Sequence, residues 1–588
     1  MALPEGLPAA SPTTKRADLV TGRLHTGGVA HWFIAPGSRS TPLVLSIARR
    51  GLPHDVLIDE RVAGFCAVGA ARLGVTAAII TTSGTAVANL LPACCEADAD
   101  ELGWVACTAD RPHRDVALGA NQTLGQEALL AGPCRRVTDL DTPPIDDDGA
   151  VTVTAIATAT AQLDEVIGQL RGTGRGPVHV NVRLDKPLEP PPGWRTTVAA
   201  APVFLDDHGT SDDVGDLVAA LAMDDGLVVC GSLPAGERPA VEAFLASLGW
   251  PVVADVTSGL VVPPSVPRLP TVAMRSSSVR EALAPKQVLW LGGLLTEDAV
   301  ALWLRARRVP VVQVQTGQRR RDPFELASHT LVVSSMATLS RALPSTRGTS
   351  TVLADQVRRV SSALSSLSSL VRSGPISEPA VASLVLSSAR AGDVVFVGNS
   401  MPVRDADRFA TVPAGVTVIS NRGVSGIDGC IATGLGAALA SGRPTTVFIG
   451  DLAFLHDLSG AAAVAQARAN VRIVVVNNGG GGIFSFLPVA GGSVAPEQVE
   501  RYFGTPHSLD LAPIALALGL RSTVCADVDA LQATLARPVV GAECVEVRTN
   551  RQDNVACHRR LDAAVEALCL EALCLEALCL EALTSGRP

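Results

Sequence analysis

Apolar and polar positions alternate in blocks along this chain. Between Arg16 and Asp185, short runs rich in β-branched residues (HWFIAPGS from His31, AAIITTSG from Ala77, GWVACTADRP from Gly103, PVHVNV from Pro177) are separated by longer alanine- and leucine-rich stretches. Short apolar runs bounded by Gly, Pro, Ser or Asn read as buried strands and the longer stretches as helices, so the alternation predicts a parallel sheet wrapped by helices. The proline cluster KPLEPPPGW, Lys186–Trp194, closes this segment, because consecutive prolines continue neither helix nor ladder. A second set follows (GLVVCGS, PVVADV, QVLWLGG, VPVVQV), and a third begins at Pro379 (DVVFVGNS, VTVISNRG, TTVFIGD, RIVVVNN). The expected fold class is α/β, three doubly wound parallel-sheet domains in series over residues 1–188, 195–345 and 379–560. The polar, Ser-rich piece over 346–378 reads as an exposed helix and linker. From Asp562 onward the chain becomes EALCLEALCL, a period-five repeat. Five residues advance about 140° beyond a full turn of an α-helix, so the repeat makes no single apolar stripe. The helical tail, 561–588, is expected to be a repeat expansion or a small packing appendage without a functional part.

Length and charge narrow the class. At 588 residues the chain exceeds one ordinary core, and 47% hydrophobic residues suffice to fill several. A formal charge of -9 and the lack of a basic stripe with interleaved aromatics point away from nucleic acid and toward small-molecule partners. Only Lys15, Lys186 and Lys286 are lysine; arginine suits bidentate grips on carboxylate or phosphate, although a GC-rich genome produces the same bias. The thirteen cysteines form no CxxC pair and no zinc spacing, which fits a reducing compartment. No leader is visible in residues 1–14, and runs such as Val471–Val476 are too short to span a bilayer, so a cytoplasmic location without membrane contact is expected.

Candidate chemistry lies at strand ends. VFIGD ends at Asp451, and RIVVVNNGGGG carries Asn478 and Gly480 at the end of the next strand, at the carboxyl edge where such sheets bind ligands. One carboxylate, one amide oxygen and one carbonyl are hard donors suited to a Mg²⁺ that also takes diphosphate oxygens, and a glycine-rich turn brings N–H groups to the same anion. Two ordinary strand-end turns would look alike.

The spacing from Asp451 to Asn478 and Gly480 resembles the diphosphate and metal motif of thiamine-diphosphate enzymes. APGSRSTPL, IDER with AGF, TTSGTAVANLLPA, TADRP, GANQT, GNSMPVRD, SNRGVSGIDG, GDLAFLHDL, VVNNGGGGIFSFLP and YFGTPH then follow in the order of the SEPHCHC synthase family of menaquinone and phylloquinone biosynthesis, from about Gly28 to Gly519. The resemblance implies thiamine diphosphate and Mg²⁺, with Mn²⁺ as a substitute, and makes Glu60 the glutamate that hydrogen-bonds the aminopyrimidine and promotes deprotonation of C2. It implies cofactor contacts from Ser400, Ile427, Gly450, Asp451, Asn478, Gly480 and Ile483, with Asp451, Asn478 and Gly480 holding the metal. Ile427 is the implied wedge beneath the cofactor, though a core isoleucine reads identically. Phe484 and Leu487 are implied to line the pocket, though Phe484 alone reads equally as core. Arg404 and Arg422 correspond to the grip on the 2-oxoglutarate-derived carboxylate, and Ser38, Arg39, Arg111, Asn121 and Gln122, with Ser400, to the wall facing isochorismate. A lone loop arginine is commonly a solvated one.

One departure stands out. Where the family carries a basic pair in its middle domain, GGLLTEDAVALW offers Glu297 and Asp298, and Val261 stands where arginine is frequent. Arg275, Arg280 or the Arg319, Arg320 and Arg321 run are the available substitutes. The implied activity is decarboxylation of 2-oxoglutarate and addition of the resulting carbanion to isochorismate, by a homodimer or homotetramer whose sites join Glu60 of one chain to Asp451 of another. Alternatives are an acetolactate-synthase relative acting on another 2-oxo acid and a non-catalytic effector-binding homologue.

Overall fold

A computed structural model describes residues 10–146, 151–194, 214–221, 225–343 and 351–584; the expected start of the central domain and the first residues of the expected linker fall outside them. Three wholly parallel sheets form, which accords with the α/β expectation. The first contains β1 (His31–Ala35), β2 (His54–Val56), β3 (Ala77–Thr81), β4 (Val105–Asp110), β5 (Arg136–Leu140) and β6 (Val178–Arg183) in the order β2-β1-β3-β4-β6-β5. The middle sheet contains β7 (Gly226–Cys230), β8 (Val252–Ala254), β9 (Gln287–Leu291), β10 (Val311–Gln315) and β11 (Ala327–Val332) in the order β11-β10-β9-β7-β8. The third, with β12 (Val394–Val397), β13 (Thr417–Ile419), β14 (Thr445–Gly450), β15 (Val471–Asn477), β16 (Arg521–Cys525) and β17 (Ala542–Arg548), has the order β13-β12-β14-β15-β17-β16, the same topology as the first. Central strands such as β1, β4 and β9 are buried throughout, which is why they read as unbroken apolar runs.

By compactness the chain divides into two units, one of Met1–His208, Asn421–Gly442 and Asp457–Ala469, the other of the remainder. In the first unit the helix Glu60–Arg72 packs on the helix Cys430–Ser441 through glycines. A Cβ on Gly69 would stand 2.0 Å from the Thr433 carbonyl oxygen, and one on Gly436 would stand 2.1 Å from that of Cys66, so only glycine permits this crossing. Asp457 closes the N-terminus of the second helix by accepting from Ile431 N (2.7 Å) and Ala432 N (3.0 Å). Burial pushes the Asp457 carboxyl up to about 7.

In the second unit the Ser-rich segment, expected as an exposed helix and linker, is helical but packed rather than exposed. Val352–Ala363 and Leu367–Arg372 are helices, and Leu353, Val357, Val360, Leu364, Leu367 and Val371 join one apolar cluster with Trp290, Val300 and Leu304 of the middle domain. Their spacing is helical and one-sided; serines on the other face masked it in composition. The tail packs as well, in keeping with the packing-appendage alternative. A single helix runs Arg551–Thr584, beginning inside the expected third domain, and Cys557, Leu561, Val565 and Cys569 enter the same cluster. The 140° advance still shows: Cys569 is buried and Cys574, one repeat on, is exposed. The docked face therefore takes a different member of each repeat, and Ala572 replaces Cys574 on it.

Candidate active site

In both six-stranded sheets the strand order reverses between the first strand and the third, and loops leaving those strands diverge to leave a crevice at the carboxyl edge. The middle sheet has the same reversal between β7 and β9, but there Gly231 N donates to Leu291 O, Gly293 N donates to Ser232 O, and a Cβ on Gly231 would lie 2.1 Å from Gly293 O. That crevice is closed by backbone. Candidate residues accordingly gather at the first and third sheets.

In the first unit, β1 leads into Ser38–Ser40, β3 into Ser83 and β4 into Arg111. Arg111 Nη1 donates to Ser83 Oγ (2.7 Å) and to Gln122 O (2.8 Å), and Gln122 Nε2 donates to Ser83 O (2.8 Å). Gln122 holds φ 61°, an uncommon conformation for a side-chain-bearing residue and one that concentrates at functional loops. Arg39 Nη1 donates to Leu184 O at 2.8 Å. Burial and then the neighbouring Arg111 charge hold the Arg39 guanidinium below its ordinary value, so two cations share one half-open edge. Beneath them Arg183, almost wholly buried, donates to Asp110 (3.1 Å), Asp139 (2.9 Å) and the Arg111 carbonyl (2.9 Å), and fixes that backbone. Ser38 and Asn121 are exposed beside this group.

Glu60 is the first residue of its helix; Asp59 caps the helix by accepting from Arg61 N at 2.8 Å. Asn89 Nδ2 donates to Glu60 Oε2 at 3.1 Å and orients the half-buried carboxylate. The loop of Arg422 and Ile427 is fastened at Glu96, which accepts from Gly423 N (2.9 Å) and Val424 N (2.8 Å) and pairs with Arg72. Ile427 is 37% exposed, so the core reading of that isoleucine is removed.

In the second unit the register pairs Gly450 of β14 with Val476 of β15, which brings Asp451 and Asn478 out at one edge. Asp451 Oδ2 accepts from Gly480 N (2.9 Å) and Asn478 N (3.1 Å), with His507 Nε2 3.2 Å away. Burial raises the Asp451 carboxyl above its usual range against these donors. Asn478 Oδ1 is buried with no hydrogen-bond partner among the described residues, whereas its Nδ2 donates to Glu378 Oε1 at 2.8 Å. Gly480, at φ 145°, leaves no room for a side chain, since a Cβ would meet Gly504 O at 2.3 Å. A Cβ on Gly450 would meet open space. An orphaned amide oxygen beside a buried carboxylate, below an open glycine edge, fits a hard cation and an anion lying over it. The described residues contain no group of three or more His, Cys, Asp or Glu side chains placed to hold a metal, so amide and carbonyl oxygens would have to complete such a site.

Ser400, at φ 71°, stands between β12 and the helix Met401–Phe409 as that helix's N-cap residue, and Arg404 Nη1 donates to its carbonyl at 2.9 Å. The Phe484 ring packs tilted against Phe503 with centroids 5.5 Å apart, Ile483 is half-buried, and Leu487 is exposed. Glu297, the acidic departure, bonds Arg408 (2.5 Å) and lies 3.8 Å from Arg275 and 3.9 Å from Arg404. Of the proposed substitutes, Arg275 is held by both oxygens of Asp562 and Arg280 by the carbonyls of Met274 and Arg275, so these serve the fold.

Sequence reasoning missed Ser83, Asn89, Glu378 and His507 as contacts of candidate residues. Ser83, Asn89 and His507 lie inside quoted motifs, which was the available signal; Glu378, directly before Pro379, carried none.

Residues 14–129 match the family described as thiamine pyrophosphate enzyme, N-terminal TPP binding domain; residues 212–397 match the middle domain of thiamine pyrophosphate enzymes, and residues 401–545 the C-terminal TPP binding domain. With the three parallel sheets, these matches define a thiamine-pyrophosphate enzyme fold. Proteins named 2-succinyl-5-enolpyruvyl-6-hydroxy-3-cyclohexene-1-carboxylate synthase are similar along nearly the whole length: that of Chloroflexus aurantiacus is 35% identical, covering 92% of this chain and 94% of its own, and that of Salinibacter ruber is 35% identical, covering 95% and 98%. That of Rubrobacter xylanophilus is 36% identical over 93% and 98%. The chain belongs to this synthase family.

Proposed function

We propose that this chain decarboxylates 2-oxoglutarate on thiamine diphosphate and adds the succinyl carbanion to isochorismate, as a step of menaquinone biosynthesis. The observation that carries the reading is the Arg39–Arg111 pair at the first sheet's open edge, held by Ser83 and Gln122, because two adjacent half-buried cations call for an anionic partner. Bound thiamine diphosphate supplies the electron sink for loss of carbon dioxide. Glu60, oriented by Asn89, would hold a proton at a ring nitrogen of the bound cofactor. Asp451, Asn478 Oδ1 and the Gly480 carbonyl would hold Mg²⁺ or Mn²⁺, and the open edge at Gly450 would leave room for the diphosphate. In the second unit Ile483, Phe484 and Leu487 would line the apolar part of the pocket and exclude water from it, and in the first unit Ile427 would be the apolar wedge beneath the cofactor. Arg422 in the first unit and Arg404 in the second are the proposed grips for the succinyl carboxylate; Ser38, Arg39, Arg111, Asn121 and Gln122 in the first unit, and Ser400 in the second, are the proposed contacts for isochorismate. Glu297 leaves the middle-domain side less cationic than in relatives with a basic pair there. The assembly is a homodimer or homotetramer, and the location is cytoplasmic; no helix among the described residues is long and apolar enough to cross a membrane.

The test is carbon dioxide release from 2-oxoglutarate by purified protein with thiamine diphosphate and Mg²⁺, with and without isochorismate. Product formation that requires both substrates is expected. Efficient turnover of a different 2-oxo acid without isochorismate would move the chain to the acetolactate-synthase type of activity.

A further inference from the structure

An asparagine that offers oxygen to a cation has to be prevented from offering nitrogen, and nothing in the amide itself makes that choice. We propose that Glu378 is the positioning residue that makes it, by holding the Asn478 amide with Oδ1 directed to the cation seat. The inference rests on the metal reading of Asp451, Asn478 and Gly480 given above.

The geometry is specific. Asn478 Nδ2 donates to Glu378 Oε1 at 2.8 Å, and Thr549 Oγ1 donates to the same oxygen at 3.4 Å. Oε1 is therefore an acceptor for two donors. Turning the amide over would set Asn478 Oδ1 against this oxygen and aim the NH₂ group at the cation seat. On the other side Gly482 leaves space for the amide, since a Cβ there would stand 2.8 Å from Asn478 Nδ2. Glu378 cannot swing away. It is 3% exposed and opens the helix Glu378–Ser387, whose cap, Ser377, accepts from Ala380 N at 3.3 Å and whose second residue is Pro379. A carboxyl group buried in this way is costly to bury unless its hydrogen bonds are satisfied. Outer-shell partners of metal ligands commonly govern affinity by about ten- to a hundredfold.

The experiment titrates Mn²⁺ into protein saturated with thiamine diphosphate, following free Mn²⁺ by electron paramagnetic resonance, and separately records the unfolding midpoint without metal or cofactor. Glu378→Met, which removes the acceptor, is expected to weaken Mn²⁺ by about ten- to a hundredfold without lowering the midpoint. Glu378→Gln, whose amide oxygen can accept the same bond, should stay within about threefold of the unsubstituted chain. Asn478→Asp presents oxygen whichever way it turns, so Glu378→Met should cost little Mn²⁺ affinity in that background. Undiminished Mn²⁺ binding by Glu378→Met, or an equal loss in the Gln variant, overturns the proposal. Should the Met variant not fold, the Gln variant and the Asn478→Asp background, compared through Glu378→Gln, still decide between position and charge. Asp451→Ala separates the two layers: if it binds Mn²⁺ as tightly as the unsubstituted chain, the metal reading itself fails; if it does not while Glu378→Met binds normally, only the present inference fails.

Discussion

A carboxylate can manage a proton on a ring nitrogen only if the carboxylate itself is held still, and in this chain Asn89 does the holding. Glu60→Gln keeps that bond and the helix start while removing the ionisable group. The expected result is intact folding and diphosphate binding with turnover reduced by about 10²–10⁴-fold, the usual scale of general acid–base help; near-normal turnover would show that Glu60 has been misread. Glu60, Asp451 and Asn478 could be singled out as candidates in the sequence because a cofactor site dictates residue type and spacing. Their partners could not, since Asn89 lies 29 positions from Glu60 and Glu378 lies 100 from Asn478, and only folding reveals such pairs. Asp457 supports a second test. Its carboxyl is pushed up to about 7 by burial, so the fold favours the neutral form; that contribution is complete below the ordinary 3.8 and is lost as pH rises through about 7. Asp457→Asn is neutral throughout and keeps an oxygen for Ile431 N and Ala432 N. Its stability relative to the unsubstituted chain should therefore climb between pH 4 and 7, by up to a few kcal/mol at about 1.4 kcal/mol per unit, and then level off. Denaturant midpoints measured at several pH values check this, and a flat difference would contradict the assigned cause.

At the scale of elements, small residues in DERVAGFCAVGAAR announced a helix but not its reason. Gly69 and Gly436 allow two helix backbones to cross at a separation that excludes a Cβ. Gly436→Val should cost more than about 3 kcal/mol, above the usual range for overpacking because backbone atoms rather than side chains are struck. Gly168, the last residue of the helix Val153–Gly168, has nothing within 4 Å of its Cβ position, so Gly168→Ala should be neutral or stabilise by about 0.5–1 kcal/mol. Thermal unfolding of the two variants tests the contrast. The strands that escaped the sequence pattern have physical reasons of the same kind. β2, β5, β11 and β16 are sheet edges with exposed positions, where alternation is weak. β17 lies inside its sheet yet contains Glu543 and Glu546, which looked solvent-facing until Arg472 was found bonded to the first at 2.6 Å and Asn477 to the second at 2.8 Å.

Over the whole molecule, the repeated strand order of the first and third sheets explains why both carry site loops, and the closed crevice of the middle sheet explains why it carries few. The middle sheet instead anchors the C-terminal helix. Along that helix His558 stands between Phe409 (5.7 Å) and Phe486 (4.9 Å), with Arg408 Nη1 3.3 Å from its Nδ1, so the helix supports the segment of Arg404 and the loop of Phe484. About two turns further, Glu566 accepts from Ser277 N (2.8 Å) and Ser278 Oγ (2.6 Å), and Val565 and Cys569 fill the apolar cluster. Two truncations separate these roles from the bare repeat. Ending the chain after Cys574 keeps every buried position described, of which Ala572 is the last, and should leave stability and activity unchanged. Ending it after Ala564 uncovers the cluster and frees Ser277 and Ser278; burying a valine side chain alone is worth about 1.5–3 kcal/mol, so a loss of several kcal/mol is expected from a total of roughly 5–15. Activity of the shorter chain should fall as well, because His558 would then rest on a helix with little beyond it to hold it down. Urea midpoints and initial rates for the two truncations decide the matter: equal values for both would mean that the repeat does not dock and that His558 is held by its own turn alone.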